Sequence, residues 1–480
     1  MASGSNTCVV ELTDYSVLPA RPSPTKDGKC FSGTRGAARL GSSTRTGSRS
    51  SSRPPAELVD FEELGGSGPD GPVVNAVEKW NYPRINAYRV PATFWSLLVM
   101  GANDAAYGAL IPYLEKYYDL NYTIVSLVFL SPFAGYVASA IMNNWLHLKI
   151  GQRGIGTICG ACHLAAYVII CFHPPYAVLV VAFILAGFGN GIGDAAWNAW
   201  VGNLAKASEV LGFMHAFYGA GGVLSPLIAT TMITKAHLPW YTFYYVMIAM
   251  AAIELVVLPW SFWGCTGEAY RKLYHQEHGT ENKTGLKDAL FKRPAARVSW
   301  LCAVFLLAYV GVEVALGGWI VTFMIQVRDG HAFASGMTAT GFWLGLTVGR
   351  AVLGFVTPRL GVKLGISVYI AAAMGLQILF WLVPNFYVSA VAVALQGFFI
   401  GPFFPGIVLV ASALLPRHLH VVVIGFAAAF GGCGAAVLPF GVGALAQVKG
   451  VQVLQPIILA LLGILLALWL CLPRISKKKE

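Results

Sequence analysis

From about residue 90 onward, the chain is a succession of continuously apolar runs separated by short polar breaks. The runs lie at about 91–113, 123–146, 153–173, 176–203, 209–234, 239–263, 297–323, 335–357, 363–383, 386–413, 419–447 and 452–472. Each is long enough to cross roughly 30 Å of hydrocarbon as a helix, which takes about 20 apolar residues. None shows the apolar–polar alternation over about 10 positions that marks a membrane β-strand. The pattern predicts an all-α integral membrane fold of twelve transmembrane helices.

The runs also repeat. "GFMHAFYGAGGVLSP" from Gly212 and "GFAAAFGGCGAAVLP" from Gly425 share Gly212, Phe213, Ala216, Phe217, Gly219, Gly221 and Pro226 by identity. At nearly the same offset, "LKIGQR" pairs with "PRLGVK", setting Lys149 against Arg359 and Gly151 against Gly361. Gly101 and Asn103 likewise meet Gly311 and Glu313. Such internal repetition predicts two pseudo-symmetric six-helix halves. The expected organisation is a disordered cytoplasmic N-terminal tail (1–88), a first half (89–263), a basic cytoplasmic linker (264–296), a second half (297–473) and a short basic tail (474–480).

Composition fits this picture: 56% of residues are hydrophobic and 11% charged, against about 25% charged in soluble domains. The positive charge falls mainly on one side of the expected spans, at Lys79, Arg84, Arg89, Lys149, Arg153, Lys206, the linker, Arg359, Lys363, Arg417 and Arg474. Only Lys116, Lys235, Arg328 and Lys449 fall on the other. The positive-inside rule therefore places both termini in the cytoplasm. Topology accounts for the net charge of +11, and no nucleic-acid partner is needed. Asn121, in "NYT" of the first outer loop, is an expected glycosylation site, which favours the cell membrane over an internal one.

Chemistry concentrates in "GFGNGIGDAAWNAW", Gly187–Trp200. Asn190, Asp194 and Asn198 recur every four residues and share one helix face with Trp197. Asn103 and Asp104 lie midway along the first span, Glu313 midway along the seventh and Arg350 in the inner third of the eighth. A charge at membrane depth costs about 3 kcal/mol on insertion scales, so such groups face a bundle interior or an aqueous cavity. Desolvation disfavours the charged form of an unpaired acid, which makes these three acids candidate proton carriers. Arg350 is expected to pair with an acid and gate or lock the bundle, with Arg359 in the same class. His163 and His215 are expected to pack. The glycines four apart, Gly187 with Gly191 and Gly189 with Gly193, are the small-residue pattern that lets helices approach closely.

No G-x-x-x-x-G-K-[ST] occurs, so ATP-driven transport is disfavoured, and no cofactor is expected. No H-E-x-x-H or similar spacing points to a metal set or an intramembrane enzyme. With two parallel six-span halves, the chain resembles the major facilitator superfamily over about residues 88–473. The closest likeness within it, carried by "NDAAYGALIPYLEKYYDL" and "GFGNGIGDAAWNAWVGNL", is to the fucose permease-like branch. Its acid at the place of Asp194 is often Glu, and Pro358 stands where the superfamily's loop signature usually has an acid. The resemblance implies secondary active transport of a small organic solute, sugar-like or another metabolite, by alternating access. It further implies proton coupling, with coupling or solute contact at Asp104 and Asp194. Export of a drug or metabolite is the alternative, and a non-transporting sensor the weaker one. The partners implied are the solute, protons and the lipid bilayer, for a monomer.

Overall fold

The computed structural model describes residues 78–271, 290–416 and 419–473. The expected tail over residues 1–77, the middle of the linker and residues 474–480 lie outside them. Helix α1 (Asn86–Tyr118) leads through the one-turn α2 (Tyr122–Val125) into α3 (Leu127–Cys171), α4 (Tyr176–Gly202), α5 (Ala207–Thr234) and α6 (Phe243–Ser261). Beyond the linker come α7 (Ala295–Gln326), α8 (Ala332–Leu360), α9 (Val362–Leu382), α10 (Phe386–Ile400), α11 (Phe403–Leu414), α12 (His420–Lys449) and α13 (Leu454–Cys471).

Ten helical stretches among the described residues are long and apolar enough to cross a membrane. One of them, the 50-residue Tyr122–Cys171, holds two spans, because Gly151 interrupts α3 at φ 66° and ψ −174°. A Cβ there would stand 2.4 Å from the carbonyl carbon of Thr266, so both backbone conformation and close approach demand glycine. Helix α1 lies outside the ten, since Asn103 and Asp104 interrupt its apolar run, yet its 33 residues pack along α5 as a full span. With these two additions the number is twelve, as expected. Span ten is α10 and α11 in tandem, separated at Gly401 and Pro402, where proline removes a backbone donor.

Within the first half, α1 packs on α5 and α6, and α3 on α4 and α6; within the second, α7 packs on α12 and α13, and α10 on α8 and α9. The halves meet where α5 lies along α8, α1 along α7, and α12 along α2 and α3.

The segment before α1, the turns after spans two and four and the start of the linker share one end of the bundle. Ala205 N donates to Glu78 O, Arg153 N to Cys265 O, and Arg153 stacks on Trp263. At the opposite, far end the halves are tightly joined. Gly108 of α1 meets the backbone of Gly317 in α7, Gly443 of α12 admits Ser126, and Tyr122 bonds to Gln447 and Gln326. Contact between α5 and α8 continues to mid-depth through Gly219 and Thr347. On the linker side, Gly212, Gly354 and Gly425 have no neighbouring atom within 4 Å of an added Cβ. Among the described residues, the glycine contacts between the halves run from the far end to mid-depth and none lies at the linker end.

Candidate functional site

The first polar centre belongs to the N-terminal half. The carboxylate of Asp104, half-buried in α1, accepts three hydrogen bonds: Asn103 Nδ2 (3.0 Å) and Asn190 Nδ2 (3.0 Å) donate to Oδ1, and the Tyr218 hydroxyl (2.9 Å) donates to Oδ2. Asn103 Nδ2 also donates to the Tyr107 hydroxyl at 2.8 Å. Helices α1, α4 and α5 therefore converge on one acid. Asn190 passes the network inward, because its Oδ1 lies 2.9 Å from His163 Nε2, and His163 Nδ1 lies 2.7 Å from Glu254 Oε2. Glu254 Oε1 accepts from Ser96 Oγ (2.6 Å) and Cys159 Sγ (3.5 Å), and the Trp197 indole donates to Ser96 Oγ at 3.1 Å. His163, Asn190, Glu254, Ser96 and Trp197 are wholly inaccessible.

Asp194 stands one turn beyond Asn190 on the same stripe, half-buried. Its Oδ1 accepts from Asn198 Nδ2 at 2.8 Å, and Asn198 Oδ1 meets His215 Nε2 at 3.1 Å. Among the described residues its other carboxylate oxygen has no hydrogen-bond partner. Asp194 also lies within electrostatic reach of Asp104. The expected stripe is thus present but divided: Asn190 joins the buried network, and Asp194 with Asn198 joins His215 of α5. Trp197 turns to the Ser96 side and stacks on Phe262 at 5.0 Å, which makes it a packing residue.

The second centre is in the C-terminal half. Arg350 Nη2 donates to Glu313 Oε1 at 3.0 Å, to Oε2 at 3.1 Å and to the Tyr309 hydroxyl at 3.2 Å. Glu313, a candidate proton carrier, has Arg350 as its cationic partner. Tyr218 of the first half lies within electrostatic reach of both Glu313 and Arg350. Arg359 is exposed near the end of α8 and has no ion-pair partner among the described residues. Nine residues separate it from Arg350, about 13 Å along a helix at about 1.5 Å per residue.

The glycine pattern resolves into two packing stripes. A Cβ at Gly187 would stand 2.1 Å from Pro132 O and one at Gly191 2.2 Å from Ser139 Oγ, so this pair admits span two. Gly189 and Gly193 face Cys159 of span three, joined by His163 and Met100. Of the aromatic residues, Trp200 and Trp319 are consumed in packing, the latter donating to Pro439 O at 2.9 Å. Asn121 is exposed and caps α2, its Oδ1 accepting from Ile124 N at 2.9 Å and leaving Nδ2 outside the cap.

Three features escaped the sequence reading. Glu254 is a lone acid in "VMIAMAAIELVVLPW", and the rule that singled out Asp194 applies to it equally. In the second half, Gln396 Nε2 donates to Gln377 Oε1 at 2.9 Å, and Gln377 Nε2 to Gln455 Oε1 at 2.6 Å. Nor did spacing foreshadow that Cys159, His163 and Glu254 bring ligand-type atoms within 4.8 Å of one another.

The sequence profile of the Major Facilitator Superfamily matches residues 93–376. The chain belongs to the Major Facilitator Superfamily. It is 29% identical over 422 residues to "Bypass of stop codon protein 6" of Saccharomyces cerevisiae, covering 82% of this chain and 84% of the relative. It is 22% identical to the "Glucose/mannose transporter GlcP" of Bacillus subtilis, covering 70% and 82%. Among solved structures, the superfamily transporter FucP in the outward conformation shares the fold with a TM-score of 0.59 at 14% identity, covering 82% of this chain and all (100%) of that one. A bacterial homologue of the lysosomal transporter Spinster, inward-facing, gives a TM-score of 0.60 at 11% identity over 82% and 98%. As a superfamily member this chain is a multi-pass membrane transporter and not an enzyme.

Proposed function

We propose that this transporter moves a sugar-like organic solute by proton-coupled alternating access, binding it between Asp104 in one half and the Glu313–Arg350 pair in the other. The observation that carries the reading is the Asp104 carboxylate, held by three donors from three helices and half-exposed at the junction of the halves. Arg350 Nε and Trp343 Nε1 are buried without partners among the described residues, and a polyhydroxyl solute would supply acceptors for both. Asp194, with one carboxylate oxygen unpartnered among the described residues, is the acid that exchanges the proton. In this reading the far-end contacts close the outer side, and the positive-inside rule makes the linker side cytoplasmic. On that assignment Asn121 lies outside, with Nδ2 free to carry a glycan at the cell membrane. Relatives named as glucose/mannose and glucose/galactose transporters support the solute class. A second reading, an aromatic acid, rests on a 24% identical relative named as a gentisate transporter.

Purified protein in liposomes, given an inward proton gradient, is expected to accumulate labelled glucose, mannose or galactose and to lose accumulation when an ionophore collapses the gradient. Gentisate uptake without sugar uptake would favour the second reading, and equilibration alone would remove proton coupling.

A further inference from the structure

The His163–Glu254 pair lies behind Asp104, buried among α1, α3, α4 and α6, and its hydrogens can be counted one by one. Asn190 gives a hydrogen of Nδ2 to the Asp104 carboxylate, so its carbonyl oxygen is the atom that faces His163 Nε2. A carbonyl only accepts, and Nε2 therefore carries a hydrogen. Ser96 receives the Trp197 indole hydrogen and passes its own to Glu254 Oε1, which the Cys159 thiol also reaches. One further hydrogen lies between His163 Nδ1 and Glu254 Oε2 across 2.7 Å. The dyad as a whole is neutral wherever along that bond the hydrogen sits, and the network's negative charge is on Asp104.

A half-turn of the Asn190 amide produces a second arrangement with the same number of protons. Asn190 then offers its oxygen to Asp104, which must be protonated to donate, and its amide hydrogen to Nε2, which must be bare to accept. The negative charge has moved from Asp104 to the dyad. Asp104 and the dyad thus compete for one proton, and Asn190 can satisfy only one arrangement at a time.

The other half of the molecule joins the corresponding spans by different chemistry. Spans nine, ten and twelve, the counterparts of spans three, four and six, are tied by the neutral amides of Gln377, Gln396 and Gln455, which do not align residue for residue with His163, Asn190 and Glu254. Neutral amides suffice to hold those three spans together, whereas the N-terminal half joins its three corresponding spans through a base and an acid. The titratable groups facing the dyad are Asp104 from α1 and Cys159 and Tyr167 from α3; Tyr107, Cys162, Tyr218 and Tyr244 lie behind these, interacting with Asp104, Cys159 or Tyr167. No lysine or arginine among the described residues is hydrogen-bonded to any of them. A divalent cation on Cys159, His163 and Glu254 would have to displace the hydrogen bonds that already occupy those atoms.

We propose that His163 and Glu254 form a second proton-holding site, coupled to Asp104 through the orientation of the Asn190 side chain. The inference deepens the proton-coupled reading of Asp104, but its test uses no solute and no gradient. Full-length protein in lipid nanodiscs would be titrated by infrared difference spectroscopy, following carboxyl bands assigned by their loss in Asp104→Asn and Glu254→Gln. Two interacting steps are expected in the unaltered chain, and the Asp104 midpoint should move by more than about one pH unit in Glu254→Gln, the scale of strong coupling between sites. Asn190→Leu should leave both bands but let them titrate independently. The double change His163→Gln with Glu254→Gln copies the amide chemistry of the other half, which keeps the test available where a single change impairs folding; it should leave one simple Asp104 step. An Asp104 midpoint unaltered in every folded variant would overturn the proposal, as would a Glu254 band that never responds to pH. Failure of proton-driven uptake with these spectra intact would instead remove the transport reading alone.

Discussion

Arg350 Nη2 lies 3.0 Å and 3.1 Å from the two carboxylate oxygens of Glu313, joining α8 to α7 at the core of the C-terminal half. The N-terminal half answers with an acid, Asp104, whose ring of partners includes no cation. Repeat alignment sets Asn103, beside that acid, opposite Glu313. The repeat therefore carries polarity at equivalent depth while dividing the electrostatics: a neutralised pair on one side and an unneutralised acid on the other. A hydroxylated solute set between them would meet donors from one half and acceptors from the other.

Removing either member of the Glu313–Arg350 pair leaves the other charge poorly compensated, which costs about 3–5 kcal/mol for a buried pair. The side chains are 7% and 24% exposed, so Glu313 is the more sheltered partner. Glu313→Gln and Arg350→Met are each expected to lower the melting temperature of the purified protein, and the double variant to recover much of the loss. Equal, additive losses would show that the pair does not act as a unit.

Gly187 separates close packing from polar chemistry on α4. Its missing Cβ makes room for the backbone of Pro132, at 2.1 Å from O and 2.5 Å from Cα, and backbone cannot move aside as a side chain can. Gly187→Ala is expected to destabilise by about 1–3 kcal/mol, the usual cost of overpacking. Gly212→Ala, with nothing within 4 Å, should change stability little. Thermal unfolding of the two variants side by side measures the difference, and equal stability would mean that spans two and four do not approach this closely.

The spans were legible because hydropathy is local: the run expected at 176–203 is the helix Tyr176–Gly202, and that at 386–413 is the tandem ending at Leu414. Asp104, Asp194 and Asn190 were legible for a related reason, since any polar group in such a run has to be explained. Partnership was not legible. His163 meets Glu254 across 91 positions and Arg350 meets Glu313 across 37, separations set by helix packing and not by spacing along the chain. The same limit explains Trp197, whose place on the Asp194 face was read correctly by period but whose indole is drawn to Ser96, 101 positions away.

Topology can be read by accessibility. Asn121 is exposed at the far end and Gly202, at the linker-side end of α4, has no atom within 4 Å of an added Cβ. In intact cells, a membrane-impermeant thiol reagent should label Asn121→Cys, whereas Gly202→Cys should require permeabilisation. Each test belongs in a background lacking other reactive cysteines. The reverse pattern would invert the map and with it the assignment of the linker side to the cytoplasm.

Asp194 and Asp104 are separable by what holds them. Asp104 is tied by three donors, so replacing it disturbs Asn190 and Tyr218 as well as charge. Asp194 has a single side-chain donor, Asn198, on its own helix. Asp194→Asn keeps shape and much of the hydrogen-bonding capacity while removing titration, and is the cleaner probe. If Asp194 exchanges the coupling proton, the variant should lose gradient-driven accumulation yet still exchange labelled for unlabelled solute between equal pools, because exchange needs only binding and alternation of the loaded carrier. Asp104→Asn should weaken solute binding in addition, raising the half-saturating concentration for exchange. Reconstituted vesicles measure both quantities in one preparation. An Asp194→Asn variant that still concentrates its solute with unchanged pH dependence would return Asp194 to a packing role and leave Asp104 as the remaining acid of the N-terminal half at the junction.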